Sequence, residues 1–562
     1  MKVKYIGFLL LAFCISGCDD FFESMPQDKI AEEQFWKTEN DVEKVLTDIY
    51  SSSFPKSGQG ICFWDESMSD NSYLVWDWWG GQQQLANGTQ NSYGQVPTDV
   101  WNRCYRNIRK CYNLLENIEN ISATEDFKQK SIGEAYFLLS YNYYWLVTFF
   151  SDVPLVTKVM TIEESKQIEQ TSKEQVVNFI VEHLEKAESY LKGGEQEKGK
   201  ASWGACVALK SRVLLYNEKW QEALEATDEL LGKYELNTVG DTPYEDLFSG
   251  VAENNSEVIF SVPCDQSTGS IRVGHSGNQA YLLKGMSGGD AFRGMMPTGS
   301  LVDSYPMADG RLIHEKGSSY DPKNPYKDRD PRFYQSIIYP TGNIKCLDAS
   351  SGKIIEVLYD PENPSTIPLQ QYNASEPSAT GYMWNKYVDW SPYAMTEITD
   401  CTNDIIVLRY GEVLLNRAEA LLEGTGIGAK NEVCTIIDEL RKRCGAGLVH
   451  RENYNTLEDL RSLLRNERRI ELAGEGTRYF DLLRWKIAEK DNVLYGYGMK
   501  GDVYGAYMRL DGVGKNDRTV TVDGVPRRYV ETRFFDPSKH YLNPIPQSEI
   551  DLNPNLKQNP NW

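Results

Sequence analysis

Three stretches of this chain can be laid over one another on one glycine each, Gly133, Gly204 and Gly411, and that register constrains the fold more than any other feature. Seven residues on, each has a small side chain (Ser140, Ser211, Ala418); ten and eleven residues on, each has large ones (Tyr143/Tyr144, Leu214/Leu215, Leu421/Leu422). Small residues let a neighbouring helix approach closely while large ones fill the groove beside it, which is the logic of stacked helix-turn-helix repeats of the tetratricopeptide kind. The helical period extends to both sides. Trp101, Tyr105, Ile108, Cys111/Tyr112, Leu115 and Ile118 recur at three- and four-residue steps. A second helix is expected from about Lys128 to Phe150, ending before Asp152-Val153-Pro154, and a third over residues 173–191. Trp203–Asn217 and Trp220–Leu231 read as a pair broken by Glu218-Lys219, and Ile405–Glu423 with Asn431–Arg443 as another. The expected fold is mainly α, a tetratricopeptide-like helical-repeat scaffold.

Other regions do not carry that period. Residues 58–99 are rich in Gly, Gln, Asn and Ser, and residues 235–400 hold many Pro, Gly and Asn with short β-prone runs such as Glu257–Val262 and Ile337–Tyr339. Stretches this long must be folded insertions with short strands of their own, not bare loop. The organisation expected is a body over 31–562. Its helical repeats fall at about 31–57, 100–232 and 403–490, its loop-rich insertions at about 58–99, 233–402 and 491–540, and its C-terminal coil at 541–562.

At the N-terminus, Lys2 and Lys4 precede an almost purely apolar run from Tyr5 to Ile15, followed by Ser16-Gly17-Cys18. This reads as a signal peptide over 1–17, too short to span a bilayer, which needs about 20 residues. Small residues before Cys18 resemble a bacterial lipobox, so Cys18 is expected to be acylated and to begin an acidic tether over 18–30. The formal charge of −22 argues against a nucleic-acid partner, because phosphate binding wants a cationic face. Setting aside Cys14 and Cys18 leaves an odd nine of the 11 cysteines, with no CxxC; Cys104 and Cys111, seven apart on one helix face, read as core packing.

Motifs of catalysis fail on context. Gly285-Met286-Ser287-Gly288-Gly289 fits G-x-S-x-G, but Asp290-Ala291-Phe292-Arg293-Gly294 is a poor helix start and no alternating α/β series surrounds it, so it reads as a glycine-rich loop. Gly496-Tyr497-Gly498-Met499-Lys500-Gly501 fits G-x-G-x-x-G without opening a helix. His183, His275, His314, His450 and His540 are isolated, with no i,i+4 ligand pair. No metal, no cofactor and no catalytic residues are expected. The strongest functional signal is Tyr73-Leu74-Val75-Trp76-Asp77-Trp78-Trp79, where rings stand among Asp, Asn, Gln and Gly and not on a regular apolar face. Sugars present flat C–H faces that stack on Trp and Tyr, while their hydroxyls bond to amides and carboxylates.

With these residues in view, the chain resembles the SusD/RagB family, the surface glycan-binding lipoproteins of polysaccharide-degrading Gram-negative bacteria. The resemblance runs through Cys18-Asp19-Asp20-Phe21-Phe22, Glu66–Asn71, Trp101–Asn113, and Gly133–Leu138 on to Asp152–Leu155. It is strongest at Arg465–Gly476 and Arg478–Trp485, and ends on Asn543-Pro544-Ile545-Pro546 and Asn553–Pro560. It implies a non-catalytic, lipid-anchored outer-membrane protein exposed at the cell surface. It also implies capture of a polysaccharide or oligosaccharide and its delivery, as a lid, to a SusC-like TonB-dependent transporter. By region it places ligand contacts at Asn71, Tyr73, Trp76, Trp78 and Trp79, at Tyr281, Phe292 and Arg293, and at Trp384 within Tyr382–Trp390. The charged 465–485 segment then reads as structural, its Arg and Glu/Asp forming ion pairs within and between helices. Two rivals stay open: a surface glycoside hydrolase, and a transporter lid that binds a non-glycan nutrient such as peptide.

Overall fold

In the computed structural model, the long helices begin where an apolar period meets a polar cap. The structure describes residues 35–55, 62–75, 81–253, 255–268, 273–283, 286–289, 291, 294–348, 350–358, 379–490, 498–506, 519–522 and 525–562. Helix α1 (Glu39–Ser53) opens on a capping box of Thr38 and Asp41. Helix α2 is Gln95–Asn117, and α3 (Glu125–Phe150) starts where Thr124 accepts a hydrogen bond from the Phe127 amide. In the same way Ser172 caps α4 (Lys173–Leu191) and Ser202 caps α5 (Trp203–Tyr216). Then come α6 (Trp220–Leu230), α7 (Tyr410–Thr425), α8 (Lys430–Arg443), α9 (Leu457–Glu471), which has a capping box of Thr456 and Asp459, and α10 (Arg478–Arg484).

Each helix from α1 to α8 packs on the next, from α1 on α2 and α3 through to α7 on α8 and α9, so the fold is mainly α and tetratricopeptide-like. Helix α6 packs directly on α7 although residues 231–409 separate them, so the large insertion leaves the helical stack and the stack closes behind it. The aligned glycines sit at close approaches. A Cβ on Gly133 would lie 2.7 Å from Leu191 Cγ, one on Gly204 would overlap the Tyr234 hydroxyl, and one on Gly411 would meet the Arg409 guanidinium.

Several boundaries differ from the expected ones. Helix α2 starts six residues before Trp101, with Pro97 in the first turn, where the missing N–H leaves no helical bond unmade. The short helix Gln82–Asn87 also lies inside the stretch expected to be non-helical. Ile405–Glu423 is not one helix. Its first five residues form strand Ile405–Arg409, antiparallel to Val258–Val262 with Ile405 opposite Val262, and α7 begins at Tyr410. A buried β-branched run has no polar face to reveal its period, so strand and helix look alike in it. In the C-terminal segment, Gln547–Leu552 is helical. Asparagine side chains tie down the rest: Asn559 Nδ2 donates to the Phe150 and Asn543 carbonyls at 3.0 and 2.7 Å, and Asn553 Nδ2 to Ile168 O at 2.8 Å.

The strands are short. Apart from the two-residue antiparallel pair Val153–Pro154 and Gln170–Thr171, in chain order they are β1 (Ser72–Leu74), β2 (Val258–Val262), β3 (Met295–Pro297), β4 (Ile337–Ile338), β5 (Asn343–Asp348), β6 (Lys353–Leu358), β7 (Met383–Trp384), β8 (Ile405–Arg409), β9 (Gly501–Tyr504), β10 (Thr519–Val522) and β11 (Val525–Arg533). Every pairing among them is antiparallel: β1 with β3, β2 with β8, β4 with β7, β5 with β6, and β11 between β9 and β10.

Charge, not only apolar packing, joins insertion to scaffold. Glu471 at the end of α9 meets Arg443 of α8 at 2.6 Å, Arg409 of β8 at 2.9 Å and Arg332 of the insertion at 3.0 Å. Arg332 also binds Asp330 at 2.8 Å and Glu467 at 2.6 Å, while Arg409 binds Glu257 at 2.9 Å and Glu475 at 2.7 Å. Arg441 holds Glu467 at 2.9 Å, and Lys386 holds Glu475 at 2.7 Å. Five cations thus face five carboxylates, all buried or nearly so. Burial alone would raise the Glu471 carboxyl, but Arg443, Arg409 and Arg332 outweigh it and hold it far below the usual range. Burial dominates at Lys386 and pushes its ammonium down to about 8 against the pull of Glu475. A second buried cluster pins the chain before β1: Asp70 takes Arg478 at 2.8 Å and Arg469 at 3.3 Å, and those two guanidiniums overcome its burial to bring it down to about 2. The 465–485 segment therefore pairs mostly across elements distant in sequence.

Candidate functional site

Residues of the insertion that face outward carry rings and polar groups together. Trp390, half-buried, donates its indole N–H to Asn385 Oδ1 at 3.1 Å. Asn385 Nδ2 donates to Glu245 Oε1 at 3.2 Å and to the Gln335 carbonyl at 2.9 Å, and Lys345 Nζ lies 5.5 Å from the Trp390 ring centre. Asn385 is held by the β4–β7 pair, since its amide donates to Ser336 O at 2.8 Å just beyond the Ile337–Trp384 register. Lys345 comes from β5 and Glu245 from the short helix Pro243–Asp246. Partial burial pushes the Glu245 carboxyl up, with Lys345 and Asn385 opposing. The constellation offers one indole face, one amide, one carboxylate and one ammonium.

The short helix Pro331–Ser336 ends beside this group, and a tyrosine cluster flanks it. The Tyr326 ring lies parallel to Phe333 at 6.1 Å and tilted on Tyr339 at 5.0 Å; Tyr334 lies 5.7 Å from Tyr339. Tyr334 is 37% exposed, and Tyr326 and Tyr339 are half-buried. Arg329, fully buried, fixes the loop: its guanidinium lies 5.4 Å from the Phe333 ring and donates to Val302 O, Tyr305 O and Pro325 O, each at 2.7 Å. Tyr334 Oη donates to Tyr326 O at 2.7 Å and accepts from the Arg329 amide at 3.0 Å. These rings are rigidly placed, which lowers the entropy lost when a ligand stacks on them.

Residues expected from the sequence to contact ligand divide three ways. Asn71, Tyr281 and Trp384 are buried at 0% exposure, and an interior role replaces the expected one. Asn71 Oδ1 accepts from Arg469 Nε at 2.7 Å while its amide donates to Glu66 at 2.6 Å; Trp384 sits 6.2 Å from Tyr281 and donates to Ser72 Oγ at 3.4 Å. Tyr73 is half-buried on β1 opposite Met296, with Glu531 and Arg533 of β11 nearby; burial pushes its phenol up to about 12. Cys18, Trp76, Trp78, Trp79, Phe292 and Arg293 lie outside the described residues. The Val75 amide donates to Gly294 O at 2.9 Å.

Sequence reasoning reached the Tyr382–Trp390 stretch but named its interior tryptophan. It also missed Tyr334 and Tyr339, although four tyrosines between positions 320 and 339, amid Pro and Asp, were a visible signal. Ser287 of the G-x-S-x-G match is buried and donates to Gly289 O at 3.4 Å. Among the described residues no three His, Cys, Asp or Glu side chains gather where they could hold a metal ion, and no helix is long and apolar enough to cross a membrane.

Known proteins resemble this chain along its whole length. The model of the SusD family matches residues 256–562, and a model described as "Starch-binding associating with outer membrane" matches residues 20–215. A SusD-like protein of Formosa agariphila is 23% identical over 582 aligned positions, covering 100% of this chain and 99% of its own. Two crystal structures from Bacteroides fragilis superpose with a TM-score of 0.75 at 27% identity: a SusD-like protein (96% of this chain, 100% of the other) and a SusD-like carbohydrate binding protein (93% and 100%).

Proposed function

Because the chain belongs to the SusD family, we propose that it captures a glycan at the cell surface and hands it, without cleaving it, to a TonB-dependent outer-membrane transporter over which it sits as a lid. The observation that carries this reading is the outward constellation of Trp390, Asn385, Glu245 and Lys345 beside Tyr334 and Tyr339: a stacking face with hydrogen-bonding groups at its edge, on rigid supports. Tyr73, Trp76, Trp78, Trp79, Phe292 and Arg293 are proposed as further ligand contacts. The naming of a similar Bacteroides fragilis protein as carbohydrate binding, and the starch-binding description of the matching model, support glycan as the ligand class. Acylation at Cys18 anchors the protein, and several acyl chains give firm attachment where one would be marginal.

Capture without cleavage is part of the same proposal. Glycoside hydrolysis needs two carboxyl groups flanking one bond. Here Glu245 is joined by Asp246, whose carboxylate is turned to Thr242 Oγ1 at 3.0 Å. The test is calorimetry of the purified protein against plant, microbial and host polysaccharides, with reducing ends assayed in the same samples. Saturable heat with one glycan class and no new reducing ends is the expected result. Release of reducing ends would replace capture with hydrolysis.

A further inference from the structure

The polar groups around Trp390 are joined a second time, one residue deeper. At the surface Asn385 Nδ2 donates to Glu245 Oε1 at 3.2 Å. Beneath that bond, the next residue on one side, Lys386, donates Nζ to the Oη of Glu245's neighbour Tyr244 at 2.7 Å. Both Lys386 and Tyr244 are buried. The same ammonium donates to Glu475 Oε1 at 2.7 Å and to the Glu471 carbonyl at 3.3 Å, and lies 4.1 Å from the centre of the Phe248 ring. One buried side chain therefore ties the segment carrying Asn385 and the short helix carrying Glu245 to the ionic seam.

That segment is strained. The Val388 amide donates to Asn385 O at 3.1 Å, closing a β-turn with Lys386 and Tyr387 at its centre, and Tyr387 has a φ of +66°. A positive φ at the third position of a turn suits glycine or asparagine. A bulky residue keeps it only where its surroundings impose it. Tyr387 is buried with its ring 5.0 Å from Phe248, and Asn403 Nδ2 donates to its carbonyl at 3.2 Å. From this turn Asn385 Oδ1 accepts the Trp390 indole N–H at 3.1 Å. Were Lys386 to let go, Glu475 would keep Arg409 at 2.7 Å as its cation, while the turn would lose the anchor at one of its two central residues. The turn, and not the seam, is the partner set free.

We propose that Lys386 is the positioning residue of the binding surface: its ammonium clamps the Asn385–Val388 turn and the Glu245 helix to Glu475, and loss of its charge lets Asn385 leave Trp390 and weakens ligand binding. The inference rests on the reading of this surface as a glycan site. Burial pushes the ammonium down to about 8, so the clamp is charged at pH 7 and discharges as pH rises through 8. The charged and titratable groups facing it are Glu475 and Glu471 at and beyond the end of α9, Arg409 of β8, Glu66 ahead of β1, and Tyr244, across whose ring Arg443 of α8 lies at 4.9 Å. Burial raises the Glu66 carboxyl and pushes the Tyr244 phenol well above its ordinary range. The folded chain holds the Lys386 proton less tightly than an unfolded one, so this group adds stability as pH rises from about 8 toward 10. Binding lost over that window is therefore not unfolding on its account.

NMR of the protein labelled with nitrogen-15 at tryptophan, run beside calorimetry, tests this. The Trp390 indole N–H signal is identified by its loss in Trp390→Phe. It is expected to shift in a single step between pH 7 and 9, centred near pH 8. Affinity for the polysaccharide that wild type binds is expected to fall at least fivefold over the same range. Lys386→Met, similar in length and without charge, should show the high-pH signal and the weakened affinity already at pH 7, which separates Lys386 from Glu66 and Tyr244. A wild-type signal constant from pH 7 to 9, a Lys386→Met signal matching wild type at pH 7, or affinity that holds while the signal moves would each overturn the proposal. The wild-type series decides even where Lys386→Met fails to fold. A moving signal with no saturable binding to any polysaccharide would uphold the clamp and overturn the glycan reading instead.

Discussion

At the scale of single residues, position relative to the surface decides what each aromatic and charged group does. Trp384 and Trp390 are six residues apart, yet one is sealed against Tyr281 and the other half-exposed with its N–H on Asn385. Trp384→Ala should cost about 3–5 kcal/mol of stability as a buried-ring deletion, read by denaturant unfolding. Trp390→Ala should leave unfolding nearly unchanged and weaken glycan binding by about 1–3 kcal/mol. Asp70 makes a prediction of a different kind. Its carboxyl lies at about 2 in the folded protein against about 3.9 in an unfolded chain, so the folded state binds the proton more weakly. The stabilisation, on the order of 2–3 kcal/mol, is therefore complete above about pH 5 and is lost as pH falls from about 5 through 2. Asp70→Asn should remove that acid-dependent slope and, because Arg469 and Arg478 stay buried without their anion, destabilise by about 3–5 kcal/mol at pH 7.

Elements show how far periodicity reads and where it stops. The amphipathic helices were legible because one face is buried and the other wet, and the aligned glycines marked their crossings. Gly133→Ala sets two effects against each other: helix propensity favours Ala by about 1 kcal/mol, whereas a Cβ 2.7 Å from Leu191 Cγ overpacks the α3–α4 contact at about 1–3 kcal/mol. The second should win, so calorimetric scans should show a lower Tm. The run Ile405-Ile406-Val407-Leu408 was not legible as a strand, since its partner Val258–Val262 lies some 140 positions away and burial on both faces erased the alternation. The outward tryptophan was hidden for a related reason. Which of Trp384 and Trp390 faces solvent is set by the β4–β7 register, a pairing between segments that no local pattern encodes. Tyr334 and Tyr339 were visible as composition, but their cluster depends on Arg329 folding the preceding loop back on Phe333.

Across the whole molecule, a stack of helices carries a large insertion on one buried ionic seam, where Glu471 joins α8, β8 and the insertion through three arginines. The seam ties the insertion to the scaffold through Arg332. Replacing Cys18 with Ala should move the protein from the membrane fraction to the soluble one; continued sedimentation with membranes would remove lipid as the anchor. The central claim is that outward rings capture a glycan, and titration calorimetry tests it most directly. Wild type, Trp390→Ala, and the pair Trp78→Ala and Trp79→Ala are each titrated with the polysaccharide that wild type binds. The account predicts saturable binding by wild type and at least a fivefold loss of affinity in Trp390→Ala and in at least one of the loop variants, with folding intact. Undiminished affinity in all three variants would contradict it.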